Sequence, residues 1–114
     1  MIIISGWMEL DPEQRDRVIA ESAPLQAATR NDEPGCLAYA LCCDPVEPGR
    51  VSVYECWETP EALEAHFQHP NFFATGALLR AHARAGGQVM KHRIAISDSV
   101  RGPDGPTARF SSDG

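Results

Sequence analysis

The sequence has no apolar run long enough to cross a membrane, and its opening Met1 to Ile4 lacks both the basic flank and the extended apolar core of a signal peptide. A cytoplasmic protein is expected, with no membrane among its partners. Positive charge is scarce as well. Lys and Arg number 10 against 16 Asp and Glu, for a net charge of -6, and the basic residues are scattered rather than clustered. That pattern excludes nucleic acid and anionic lipid as expected partners. The four cysteines, Cys36, Cys42, Cys43 and Cys56, show no paired C-x-x-C spacing, so buried free thiols are expected and no zinc site. Adjacent Cys42 and Cys43 point to opposite faces of a strand and are not expected to bond to each other. His66 and His69 form an H-x-x-H, but neither an acid nor a third histidine follows at helical spacing, so no metal is expected there either.

What is present is enough for one domain: 114 residues, 43% hydrophobic and 23% charged. Ile2 to Leu10 alternates as a first strand, with Ile2, Ile4, Gly6, Met8 and Leu10 on one face. Asp11, Pro12 and Gln14 are placed as cap, first position and third position of a helix. Val18, Ile19, Ser22, Leu25 and Ala28 or Thr29 form its apolar stripe, Arg15 and Gln26 are expected to face water, and Pro24 should bend it. The acidic turn Asn31 to Gly35 ends it. Cys36 to Cys43 reads as a strand with Leu37, Tyr39 and Leu41 on one face, joined by the turn-forming run Asp44 to Gly49 to an antiparallel strand from Val51 to Trp57.

Thr59, Pro60 and Glu61 are respectively a cap, a first helical position and a favourable charge in the first turn, so a helix follows that strand at once. It should break near Gln68 or His69 because Pro70 disfavours helical geometry before it. A further helix from Asn71 to about Arg84 should end at Gly86-Gly87, before a last strand from Gln88 to Ser97. Residues 98–114 are nearly free of large apolar side chains apart from Val100 and Phe110, and are expected to form a tail without a core, either flexible or lying across a partner.

The order strand, helix, strand, strand, helix, strand implies an α+β, ferredoxin-like βαββαβ fold, with a four-stranded antiparallel sheet and two helices on one face. Apolar residues supply both faces of that sheet, so the bare face needs a cover. The expected cover is the same face of a second copy, giving a homodimer through the sheet faces.

The run Gly35-Cys36-Leu37-Ala38-Tyr39, the turn Asp44-Pro45, the segment Tyr54-Glu55-Cys56-Trp57, and Glu61-Ala62-Leu63 followed by His66 and Pro70 resemble the antibiotic biosynthesis monooxygenase family. The resemblance covers roughly residues 1–97 and implies a dimeric α+β barrel. It also implies a range of activities, among them quinol and anthrone monooxygenases, haem-degrading enzymes, signal-molecule isomerases and members with no known substrate. In the monooxygenases it implies that no metal or flavin cofactor takes part, because a deprotonated phenol, enol or quinol itself reduces molecular oxygen. The protein then has to bind a flat aromatic, take its proton and exclude water.

His66 is the candidate base, since an imidazole titrates near neutral pH, about 6.5 when unperturbed; otherwise it is a packed helix histidine. In the base role, His66→Ala should lower turnover by about a hundredfold or more and leave the dimer and its melting temperature nearly unchanged. Trp57 offers a flat surface and an N–H donor, or else belongs to the core. Glu55, on the same strand face, either orients His66 or is held by a structural partner. Phe67, Phe72 and Phe73 are expected to line the cleft or the core. Two other readings stand beside the monooxygenase: a dimeric ligand-binding or stress protein whose pocket holds a small aromatic without turning it over, and a haem-degrading enzyme. The haem reading is disfavoured because Ile2 to Leu10 contains no Asn to join the strand Trp and helix His.

Overall fold

The computed structural model describes residues 1–111. In chain order its elements are β1 (Ile2–Leu10), α1 (Arg15–Glu21), α2 (Ala23–Asp32), β2 (Cys36–Cys43), β3 (Arg50–Trp57), α3 (Pro60–Phe67), α4 (Pro70–Arg80), β4 (Ala83–Arg93) and a two-residue hairpin, β5 (Arg101–Gly102) with β6 (Gly105–Pro106). The main sheet runs β2-β3-β1-β4 with every pairing antiparallel, the α+β, ferredoxin-like order expected. The first expected helix is two segments, and the second is interrupted at Pro70 as expected. Pro24 forces the first division and Pro70 the second, because each proline tolerates only the opening turn of a helix. No helix of the described residues is long and apolar enough to cross a membrane.

One sheet face meets the helices. Ile2, Ile4, Leu10, Tyr39, Leu41, Val51, Val53 and Trp57 are buried there with Val18 and Leu63. Arg15 and Gln26, expected in water, are also buried, and the reason is the sheet's edge. β2 has no neighbour on its outer side, so its backbone polar groups need other partners. The Gln26 amide accepts from the Leu41 N–H at 3.0 Å and donates to its carbonyl at 3.2 Å, and Arg30 Nε donates to the Tyr39 carbonyl at 2.7 Å. Arg15 Nη1 likewise donates to the carbonyls of Asp44, Glu47 and Arg50, fastening the β2–β3 connection.

Four further expectations are corrected. Asp11 caps a turn whose side-chain bond goes to the Glu13 N–H, and the helix itself begins only at Arg15. Leu37 does not share a face with Tyr39 and Leu41, because the β2–β3 register shifts between Cys36 and Ala38 and leaves Leu37 exposed. The thiols are not uniformly buried: Cys56 is, Cys36 and Cys43 are half-buried, and Cys42 is exposed, all four being free. Gly86-Gly87 does not end a helix. It lies inside β4, whose pairing with β1 shifts register between Met8 and Glu9. Gly87 has φ +105° there, and a Cβ on it would stand 2.7 Å from the Trp7 carbonyl, which explains the glycine. β4 therefore starts earlier than expected, at Ala83, and ends at Arg93.

The face turned away from the helices carries exposed Tyr54 and Met90 and half-buried Ile3 and Trp7. Beyond Arg93 the chain is mostly exposed, with Asp98 accepting from the Ser99 and Ser111 N–H groups. Residues 112–114 of the expected tail lie outside the described residues.

Candidate active site

The end of α2, the end of β3 and the start of α3 are drawn together by one turn. Gly35 has φ +83°, and a Cβ there would fall 2.6 Å from that of Ala62, so α3 packs directly on the turn. The Gly35 carbonyl accepts from the Glu58 N–H at 2.8 Å, joining the turn to the end of β3. α3 then starts as its sequence requires, with Thr59 Oγ1 accepting from the Ala62 N–H at 3.1 Å. Glu33, which closes α2, is thereby brought against His66 on α3.

His66 is only 2% exposed. Its Nδ1 stands 2.7 Å from Glu33 Oε1, and Glu33 Oε2 accepts from Asn71 Nδ2 at 3.1 Å, so a carboxylate that is itself 6% exposed has both oxygens engaged. With Glu33 ionised, Nδ1 carries the hydrogen and Nε2 presents its lone pair. Nε2 lies 4.0 Å from Glu55 Oε1, too far for a hydrogen bond but close enough for one hydroxyl to meet both. Glu55 is 8% exposed and accepts from Trp57 Nε1 at 3.0 Å. Burial raises its carboxyl above the ordinary value, against the opposing pull of the Trp57 N–H and the His66 ring, while Glu33 adds to the rise.

Around the imidazole stand Trp57, Phe72 and Tyr39, with ring centroids at 4.6, 5.2 and 5.7 Å. A cavity of about 710 Å³ opens from His66 and Glu55 along the helix side of the sheet. Ile2 and Ile4 form part of its floor, and Phe67 and Phe72 stand on the helix side. That volume suits a ligand of two or three fused rings. The Tyr39 hydroxyl is held in its neutral form, burial pushing its pKa well above the usual phenol range. Thr75 Oγ1, on α4, is buried without a hydrogen-bond partner, although it stands near enough to Tyr39 to oppose that rise slightly.

The structure thus brings His66, Glu55, Phe67 and Phe72 to one cavity and sets two expected residues apart. Trp57 is fully buried and lies behind the lining, with its N–H already given to Glu55, so it offers no face to a ligand. Phe73 is exposed and does not line the cavity. The orienting partner expected in Glu55 is Glu33. Sequence reading passed over Glu33 as a turn acid, yet Ser22, Gln26, Thr29 and Glu33 follow one another at spacings of four, three and four and are all buried; the helical phase was the available signal. His69 caps α4, its Nδ1 accepting from the Asn71 N–H at 3.0 Å. Because His66 is enclosed and paired, His66→Ala cannot be stability-neutral: it would strand the Glu33 carboxylate.

The sequence profile named Antibiotic biosynthesis monooxygenase matches residues 1–78. A crystal structure of an antibiotic biosynthesis monooxygenase shares 31% sequence identity, over 84% of this chain and 100% of that one, with a TM-score of 0.73. A Caulobacter crescentus protein assigned to the same group shares 23% identity over 83% of this chain and 90% of its own, with a TM-score of 0.76. One from Deinococcus radiodurans shares 22% over 90% and 100%, also with a TM-score of 0.76. Those last two likenesses establish the fold. No curated protein matches the chain.

Proposed function

The chain belongs to the antibiotic biosynthesis monooxygenase family, and from that premise we propose that it oxidises a quinol or polycyclic, anthrone-like phenol with molecular oxygen, using no metal or flavin. The observation that carries the reading is the buried Glu33–His66 pair, 2.7 Å apart, at the closed end of an aromatic-sized cavity. The substrate hydroxyl sits between His66 Nε2 and Glu55, and Nε2 takes its proton. The resulting imidazolium is held by Glu33 on one side and faces Glu55 on the other, so charge develops where opposite charge already stands.

The substrate anion passes one electron to oxygen, and the organic radical and superoxide then combine at the ring carbon as a peroxide. For an anthrone-like substrate reacting as its enol, that carbon carries one hydrogen: the imidazolium returns the hydroxyl proton to the peroxide, and loss of the remaining hydrogen as the O–O bond breaks releases one oxygen as water and leaves the other as a carbonyl. The apolar wall around Phe67 and Phe72 restricts water near these intermediates. Trp57 acts through Glu55, as a positioning residue. The test is oxygen uptake with an anthrone. His66→Gln should lower kcat by about a hundredfold, and a rate equal to the wild type's would remove His66 from the reaction.

The reading includes a homodimer through the sheet faces, supported by the exposed Tyr54 and Met90 on the face without helices. Residues 1–97 act as the domain and the segment from 98 as an appended tail. Sedimentation of the full chain and of a chain ending at residue 97 tests both parts. Both should run as dimers at micromolar concentration, and a folded monomer of the full chain, near 12.4 kDa, would sink the dimer. Loss of the dimer only on truncation would make the tail a structural arm.

A further inference from the structure

The reaction above uses only the inner end of the cavity, and the other end has a chemistry of its own. Lys91 and Arg93 on β4 line it, alternating with Val89 on the helix side of the sheet. β4 is exposed along its whole length. Lys91 is the only lysine in a chain of net charge -6. Four of the other cations are matched, Arg15 with Asp16, Arg17 with Glu21, Arg50 with Glu9 and Arg84 with Asp11, while Arg30, Arg80, Arg101 and Arg109 make no ion pair among the described residues but do not line this cavity. Among the described residues no ion pair reaches Lys91 or Arg93, and Glu64, the acid that shares the mouth from α3, is not within ion-pair distance of either. Two neighbouring like charges beside an apolar floor repel each other unless an anion joins them.

The sheet register sets the distance from these cations to the reacting end. Glu55, Ile4 and Lys91 lie in one row across β3, β1 and β4, and Trp57, Ile2 and Arg93 in the next. Two strand spacings separate the first and last residue of each row, roughly 10 Å, with the isoleucines between them as an apolar floor. At the closed end Thr75 Oγ1, in a residue only 4% exposed, still wants a partner. Polar groups thus wait at both ends of a flat apolar slot.

We propose that Lys91 and Arg93 form an anion subsite, and that the substrate is an aromatic acid: a fused-ring phenol or enol whose hydroxyl meets His66 and Glu55 and whose carboxylate lies about 10 Å away between the two cations. The proposal rests on the oxidation reading for the identity of the reacting end, but its test does not require turnover. In fluorescence titrations at low salt, 6-hydroxy-2-naphthoate should bind the wild type about tenfold or more tightly than 2-naphthol, which has the ring without the acid. Raising the salt concentration should shrink that preference, because the cations are exposed.

Lys91→Gln with Arg93→Gln should abolish the preference while leaving 2-naphthol affinity unchanged; both positions are exposed, so the fold is spared. Equal affinities in the wild type, or a preference that survives in the double variant, would overturn the subsite. Oxygen uptake separates the two readings. A preference without oxidation of any phenol keeps the subsite and removes the monooxygenase, whereas oxidation of neutral anthrones with no acid preference does the reverse.

Discussion

At the inner end of the cavity, the pairs Glu33–His66 and Glu55–Trp57 are enclosed and packed together from three elements, whereas at the mouth Lys91 and Arg93 stand exposed on a single strand with no ion pair. The inner groups have exchanged water for protein partners, so each depends on the others remaining in place. The outer pair keeps its hydration and depends on nothing in the fold. Chemistry that needs a fixed proton acceptor belongs at the first kind of place. Recognition of a ligand that must arrive and leave suits the second, where exposed charge acts on encounter as much as on affinity.

The contrast is sharpest in stability. His66→Ala should destabilise the protein by about 3–5 kcal/mol, since it leaves the Glu33 carboxylate buried with Asn71 as its remaining partner and opens a void among Trp57, Tyr39 and Phe72. Lys91→Ala should change stability by no more than about 0.5 kcal/mol. Urea unfolding of both variants makes the comparison directly. Similar small losses would mean that the Glu33–His66 pair is not the buried unit described.

The two ends also differ in how far they could be read in advance. Local rules placed the elements well. Thr59 and Pro60 start α3, Pro70 divides it from α4, and alternation in Ile2 to Leu10 sorts the two faces of β1, because each of these signals acts over a few residues. Where local rules failed, a distant partner decided. Gln26 and Arg15 were taken for surface residues because helical periodicity does not show that an edge strand needs backbone partners. Gly86-Gly87 looked like a helix end because only β1 shows why two glycines lie in a strand. At the site, His66 and Glu55 were recognisable as residue types in a suggestive order. The Glu33–His66 pair spans 33 positions, and the orienting role went to the wrong acid. The mouth was missed because an exposed alternating Lys and Arg has no signal of its own until the register sets it opposite Glu55 and Trp57.

A smaller effect than that of His66→Ala, and the most discriminating about the inner end, comes from Glu55→Gln. The substitution keeps an acceptor for the Trp57 N–H and removes only the titration. Burial raises the folded-state pKa of Glu55, so between the unfolded and folded values the native state holds a proton that the unfolded chain has lost. For an acid shifted in this direction, stability is fullest below the unfolded pKa, about 4.3, and falls as pH rises through the folded one. At neutral pH, well above the unfolded value, the wild type therefore carries a destabilisation that Gln does not have. Glu55→Gln should melt about 2–5 °C above the wild type near pH 7, with the advantage shrinking toward zero near pH 4. Glu33 and His66 are present in both proteins, so the difference between two pH–stability curves largely removes their contribution. A variant whose deficit relative to the wild type grows as pH rises from about 4 to about 7 would mean that the charged form is favoured by Trp57 and His66 more than burial disfavours it. The same protein also separates the two possible bases: with His66 as the acceptor, Glu55→Gln should retain turnover within about tenfold, whereas a loss as large as that of His66→Gln would make the two residues one proton-accepting unit.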